Sequence, residues 1–306
     1  MLGIEEDPEM KAGVEDVDMS GKRVLVTGST NGLGRQAALA LGRLGADVIV
    51  HGRDEQAGQS AVEALESVGS DAEFIAADFA NTDDVDRLAE QVRESVDGLD
   101  ILCNNAGGLF EDTETTHLGV ERTFHINHLS PFQLTTDLLD TLAPDARIIT
   151  TSSIGHRVTS MNLDNLIDMT NFSPWAAYCR SKLANLQFSN ELARRLAASG
   201  SDITSNALHP GIIPGTEFSW GPVPGVEQLG SLIGELPLTD SPEDGAATIV
   251  YLAASEDVAG VSGKYFARCR ERRPAPKARD EDEMRALWER SSSLLGIDEP
   301  LADTTA

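Results

Sequence analysis

Short apolar runs alternate with segments of helical period through most of this 306-residue chain, and that alternation restricts the fold more than any other feature. "KRVLVTG" (22–28) is β-branched and ends in glycine, as a strand buried on both faces does. "LGRQAALALGRLG" (33–45) then places apolar residues at helical spacing before a terminal glycine. "DVIVHG" (47–52) reads as a second strand and "EQAGQSAVEALESVG" (55–69) as an amphipathic helix. "EFIAAD" (73–78) is a third strand, and "TDDVDRLAEQVRESV" (82–96) is a helix with aspartates in its first turn. Four more runs follow: "LDILCNNAG" (99–107), "RIITTSS" (147–153), "DITSNALHPG" (202–211) and a short "GKYF" (263–266). Strand and helix in strict turn imply right-handed crossovers and a parallel sheet covered on both faces. The expected class is therefore α/β, a doubly wound Rossmann-type parallel sheet in one domain. Residues 21–268 would form it, after a solvated acidic tail (1–20) and before a C-terminal helical extension (269–306). Residues 211–241 are rich in glycine and proline without a period, and a loop of that length usually serves function.

Composition narrows the function. No apolar run approaches the roughly 18–20 residues of a membrane span. The acidic start "MLGIEEDPEM" lacks the pattern of a secretory signal. Three cysteines, Cys103, Cys179 and Cys269, show no CxxC spacing, so neither a disulfide framework nor a zinc site is indicated. A reducing cytoplasm fits. The 50 acidic residues outnumber the 24 basic ones, for a formal charge of −26, which leaves no basic footprint for nucleic acid. Such a surface suits a basic partner or a halophilic cytoplasm. Only five lysines occur, and the acids are spread along the whole chain, which favours the halophile.

"TGSTNGLG" (27–34) sits between the first strand and the first helix. Gly28 can make the tight turn, Gly32 lets a pyrophosphate approach the backbone, and Gly34 allows close helix packing. After the second strand an NAD site usually carries an acid for the ribose hydroxyl. Here Arg53 follows His51 and Gly52, and an arginine fork suits a 2′-phosphate, so NADP is expected ahead of NAD. "YCRSK" puts Tyr178 and Lys182 one helical turn apart on one face. Alone, such a pair is ordinary helix surface.

The order of motifs changes that. "TGSTNGLG", "NNAG" (104–107), Asn127, "TSS" (151–153), "YCRSK" and "HPG" (209–211) resemble, in sequence order, those of the short-chain dehydrogenases/reductases. The match runs over about residues 20–268. "AAYCRSKLANLQFSNELARRL" (176–196), "GKYFARC" and "ALWERSSSLLG" are similar to the retinol dehydrogenase-like branch. The resemblance implies an oxidoreductase that exchanges a hydride between NADP and an apolar alcohol or carbonyl, as a homo-oligomer. Its catalytic set would be Asn127, Ser153, Tyr178 and Lys182. Tyr178 would move the proton, Lys182 would lower its pKa and hold the nicotinamide ribose, Ser153 would polarise the substrate oxygen, and Asn127 would hold a relay water. The cofactor would be held by Gly28, Thr30, Asn31, Gly32 and Leu33, by Arg53 and Asp78, and by Asn104, Ala106 and Gly107. Tyr178, Lys182, Pro210, Gly211 and Ile212 would complete that set. "GIIPGT" places Thr216 two positions later than the family's usual threonine.

Two alternatives stay open: a protochlorophyllide reductase-like enzyme reducing a C=C bond, and a non-catalytic NADP sensor on the same fold. His125 and His128 have no third ligand motif, so no metal is expected. Cys179 reads as a packing residue. Phe218, Trp220 and Leu229 could form an apolar lid or serve as ordinary anchors. "ARCRERR" (267–273) reads as a solvated segment or subunit contact.

Overall fold

Apolar side chains on alternating sides of the central strands feed two separate cores, and this fixes where the helices lie. Val24 and Val26 of β1 (Arg23–Val26) bury on one side, Leu25 on the other. In β4 (Leu99–Asn104), Ile101 and Cys103 share the first side, Leu99 and Leu102 the second. The computed structural model describes residues 6–111, 114–166, 173–211, 240–298 and 301. Within them β2 (Asp47–Gly52), β3 (Ala72–Ala76), β5 (Leu142–Thr151), β6 (Thr204–Leu208), β7 (Tyr265–Ala267) and β8 (Arg270–Arg272) join β1 and β4 in one sheet. The order is β3-β2-β1-β4-β5-β6-β7-β8. The first seven strands run parallel and β8 runs antiparallel to β7. The winding direction reverses between β1 and β4, which opens a crevice at the carboxyl ends of the strands.

Helices α2 (Gly32–Arg43), α3 (Glu55–Ser67) and α8 (Pro242–Ala254) cover one face. The other carries α4 (Thr82–Ser95), α6 (Ser130–Asp137), α7 (Pro174–Ala198) and α9 (Glu281–Leu295). The short α5 (Arg122–Phe124) runs through a π-helical turn (His125–Leu129) into α6. Helix α7 is capped by Ser173, which accepts from the Ala176 amide at 3.3 Å, and starts with Pro174. It is buried around most of its circumference, so polar residues on it are locked in place. No helix among the described residues is long and apolar enough to cross a membrane.

The N-terminal segment differs from the expectation. The segment read as a solvated tail folds at Pro8–Ala12 into α1, which lies against α8. Ala12, Val14 and Met19 bury in the first core, and Lys11 pairs with Asp244 at 2.6 Å. The segment "ARCRERR" makes an edge hairpin, with Arg268 and Cys269 at positive φ in the turn into β8. Helix α9 then inserts Trp288 into the second core against Phe132 and Phe188.

Candidate active site

Four chain turns at the carboxyl ends of β1, β2, β3 and β4 build the first half of the site. Gly28 has φ 65°, and a Cβ there would lie 2.8 Å from the Ala106 Cα. Gly32, at φ 53°, opens α2 and faces open space, so its amide edge is approachable. Gly34 packs against the Gly28 carbonyl and the Asn105 side chain. Thr30 is buried with its side chain against Gly52. Asn31 precedes α2 in extended conformation, and Leu33 anchors that helix in the core. Arg53 is exposed just past β2, and neighbouring Asp54 is occupied in capping α3, accepting from the Ala57 amide at 3.0 Å. Asp78 closes the turn after β3 by accepting from the Ala80 amide at 3.0 Å. These turns leave a glycine-lined cradle that fits a phosphorylated dinucleotide.

The second half gathers around the end of β5. Ser153 caps a 3-10 turn (Ile154–Val158), its Oγ accepting from the Gly155 amide at 3.2 Å. A hydrogen bond joins Ser153 to Tyr178 on α7. One turn on, Lys182 is fully buried, donates to the Thr151 carbonyl at 3.2 Å and lies 5.7 Å from the Tyr178 ring centroid. Gly107 has φ 157°, and a Cβ on it would meet Asn127 Oδ1 at 2.8 Å and Lys182 Nζ at 3.4 Å. Any side chain at 107 would therefore fill the space between β4 and α7. Trp175 stacks on Tyr178 with centroids 5.7 Å apart.

Burial dominates the electrostatics here. It pushes the Tyr178 phenol up to about 12, against the hydrogen bond to Ser153 that pulls it down. It pushes the Lys182 ammonium down to about 7. Within the protein alone, desolvation is the largest influence on Tyr178 and the Ser153 contact is the one that lowers it.

A family model described as short chain dehydrogenase matches residues 22–221. The chain belongs to the short-chain dehydrogenase family. Retinol dehydrogenase 13 of Homo sapiens is 38% identical over 287 residues, spanning 92% of this chain and 86% of its own. Polyprenol dehydrogenase of Mus musculus is 36% identical, spanning 90% and 84%. Among solved structures, an uncharacterized protein from Mycobacterium paratuberculosis superposes with TM-score 0.75 at 30% identity, over 94% of this chain and 98% of its own. The landomycin C-6 ketoreductase LanV, solved with bound NADP and rabelomycin, gives 0.65 at 27% identity, over 82% and 96%.

Further site residues of this short-chain dehydrogenase are engaged by protein partners. Asn104 donates to Thr135 Oγ1 on α6 at 2.8 Å. Asn127 lies in the π-helical turn, a feature often found at functional sites. Its amide is committed to protein partners: Nδ2 donates to the Gly108 carbonyl and Ser181 Oγ at 2.9 Å, and Oδ1 accepts from the Gly108 amide at 2.8 Å. Its side chain therefore ties the β4 turn to α7. Pro210 and Gly211 follow β6 beside Asp240, with Gly211 at φ 103°. Ile212, Thr216 and the lid candidates Phe218, Trp220 and Leu229 lie outside the described residues. His125 bonds Thr116 Oγ1 at 2.6 Å and His128 bonds Ser291 Oγ at 3.0 Å. Cys179 packs against Gly155, and burial pushes its thiol up to about 12.

Three residues that shape the cradle were not expected. Thr27 Oγ1 accepts from the Asn105 and Ala106 amides at 2.9 and 3.0 Å. Asn105 Nδ2 donates to the Thr27 carbonyl at 3.0 Å. Buried His51 accepts at Nδ1 from the Gly28 amide at 3.2 Å, while Nε2 reaches the Ala77 carbonyl at 3.3 Å. Each acts on a backbone group of a turn distant in sequence, so no local pattern marked them.

Proposed function

We propose that this short-chain dehydrogenase exchanges a hydride between NADP and the carbinol or carbonyl carbon of an apolar substrate. The observation that carries the reading is the convergence of Ser153, Tyr178 and Lys182 beside the glycine cradle. The ketoreductase neighbour solved with NADP supports the cofactor, and the exposed position of Arg53 just past β2 supports it as the residue that meets the 2′-phosphate. The names of the retinol and polyprenol relatives support a long apolar alcohol. Neither a C=C reductase nor a sensor finds support among the relatives named above. The acid-rich, lysine-poor composition supports a high-salt cytoplasm as the setting, and assembly as a homo-oligomer belongs to the same reading.

NADP, when bound, supplies or accepts the hydride. In carbonyl reduction Tyr178 donates its phenolic proton to the substrate oxygen; in alcohol oxidation it takes the hydroxyl proton. Ser153 donates to the same oxygen and stabilises the charge that gathers there. Lys182 bears on Tyr178 through charge: a tyrosinate beside an ammonium is favoured in a buried site where each alone is disfavoured. Asn127 contributes by holding the 107–108 turn against α7.

A panel of carbonyls and alcohols with NADP(H) in high salt tests this. The wild type should turn over apolar members. Tyr178→Phe should bind NADPH unchanged while kcat falls about 10²–10⁴-fold. Near wild-type turnover in that variant overturns the assignment. Arg53→Ala should raise the KM for NADPH far more than for NADH, whereas an equal response removes Arg53 from 2′-phosphate recognition.

A further inference from the structure

His156 is fully buried, lies three residues past Ser153 and is joined by hydrogen bonds to two separate parts of the chain. Its Nε2 is 3.2 Å from the Ala275 amide nitrogen, which can only donate. Nε2 is therefore the acceptor, and the proton of the neutral ring sits on Nδ1. Nδ1 is 2.7 Å from the Ser153 carbonyl, which can only accept. One tautomer satisfies both ends, and the alternative satisfies neither.

Ala275 belongs to a strap between β8 and α9 that the rest of the protein pins firmly. Arg157 donates to the Arg273 carbonyl at 2.6 Å. From α7, Gln187 donates to the Lys277 carbonyl at 3.0 Å and Asn190 to the Ala278 carbonyl at 2.7 Å. The Tyr265 ring packs edge-on against the His156 imidazole, centroids 5.2 Å apart, and limits its rotation.

We propose that His156 is a positioning residue: the strap fixes its Nδ1–H tautomer, and that N–H fixes the Ser153 peptide so that Oγ meets the substrate oxygen. The proposal rests on Ser153 acting as assigned above. The C-terminal strap lies beyond the span of the family match, and it becomes part of the catalytic support through this ring. Without Nδ1–H the Ser153 carbonyl keeps only the longer bond from the His156 amide at 3.2 Å, so the peptide is held less tightly, and displacements near 1 Å at a reacting group cost about 10²-fold in rate.

Two conservative variants separate positioning from packing. His156→Asn keeps a donor near the Nδ1 position and loses the strap bond. His156→Gln keeps an acceptor near the Nε2 position and loses the Ser153 bond. With similar melting temperatures expected for both, kcat in His156→Gln should fall at least tenfold with the Kd for NADPH unchanged, and His156→Asn should recover most of it. Equal losses in the two, or an undiminished kcat in His156→Gln, overturn the proposal. Nitrogen-15 NMR of histidine-labelled wild type supplies a test that needs no variant. The Nδ1–H tautomer for His156 supports the proposal, and the Nε2–H tautomer overturns it. Failure of the activity assignment itself would show separately, as turnover surviving Tyr178→Phe.

Discussion

Lys182 shows most clearly, at the scale of one residue, that this site is maintained against stability. Its folded pKa, about 7, lies below the ordinary lysine value of 10.5, with burial as the cause. The unfolded chain binds more protons than the fold between those values, so this lysine makes stability rise with pH through that window. At pH 7 the difference amounts to about 4 kcal/mol against an unshifted lysine. Lys182→Met removes the buried ammonium, while Asn185 still donates to the Thr151 carbonyl at 3.1 Å. The expected outcome is loss of turnover together with a more stable protein. Even a quarter of that energy would raise Tm by about 2–4 °C. The wild-type gain in Tm from pH 7 to 9 should be absent in the variant. A lower Tm in Lys182→Met at pH 7 would show that lysine packing, not its charge, governs the position. The spacing of Tyr178 and Lys182 was legible in the sequence because a helix puts residues four apart on one face. The roles of His51, Asn105 and His156 were not, because each acts through a backbone group from a distant turn. Nothing local marks such a partner.

At the scale of elements, the period-2 and period-3.6 patterns identified the strands from β1 to β7 and the helices α2 to α4, because each buries a regular face. Boundaries shifted where a strand continues into polar residues, as at the start of β5, whose first residues include exposed Pro144 and Asp145. β8 escaped notice because all three of its residues are exposed, and an edge strand without a buried face has no hydrophobic signal. α1 escaped for a different reason: it is five residues long, too short for a period to show. Its role is testable. A solvated tail could be removed without consequence. This segment buries Val14 and Met19 to 3% and 4% exposure. Burying two such side chains contributes about 3–5 kcal/mol. Deleting residues 1–19 should lower Tm by on the order of 10 °C while leaving kcat of the folded fraction unchanged. An unaltered melting curve would return the segment to the status of a tail.

At the scale of the whole molecule, two electrostatic effects act on stability with different signatures. The formal charge of −26 makes the folded state repel itself, and this repulsion is long-ranged and sensitive to salt. The Debye length falls from about 30 Å at 0.01 M to about 3 Å at 1 M, so Tm at pH 7 should climb steeply with KCl. Buried histidines act locally instead. Burial lowers His51 and His125 to about 4 and His128 to about 3, and their unfolded value is 6.5. A folded pKa below the unfolded one gives stability that is present above pH 6.5 and is lost as pH falls toward the folded value. At pH 5 each of the three costs about 2 kcal/mol, so together they approach the 5–15 kcal/mol stability of an ordinary domain. Asp137 acts in the opposite sense and by less, since burial raises its carboxyl to about 6. Relief of surface repulsion comes too late to compensate, because most carboxylates titrate near pH 4. Thermal unfolding on a grid of pH and KCl separates the two effects. Tm should rise with salt at pH 7, and it should drop between pH 6.5 and 5 at every salt concentration, since screening does not reach fully buried imidazoles. A Tm that stays flat in salt at pH 7 would reject the halophile reading. A Tm that holds steady down to pH 5 would show that the histidines are not kept neutral by the fold.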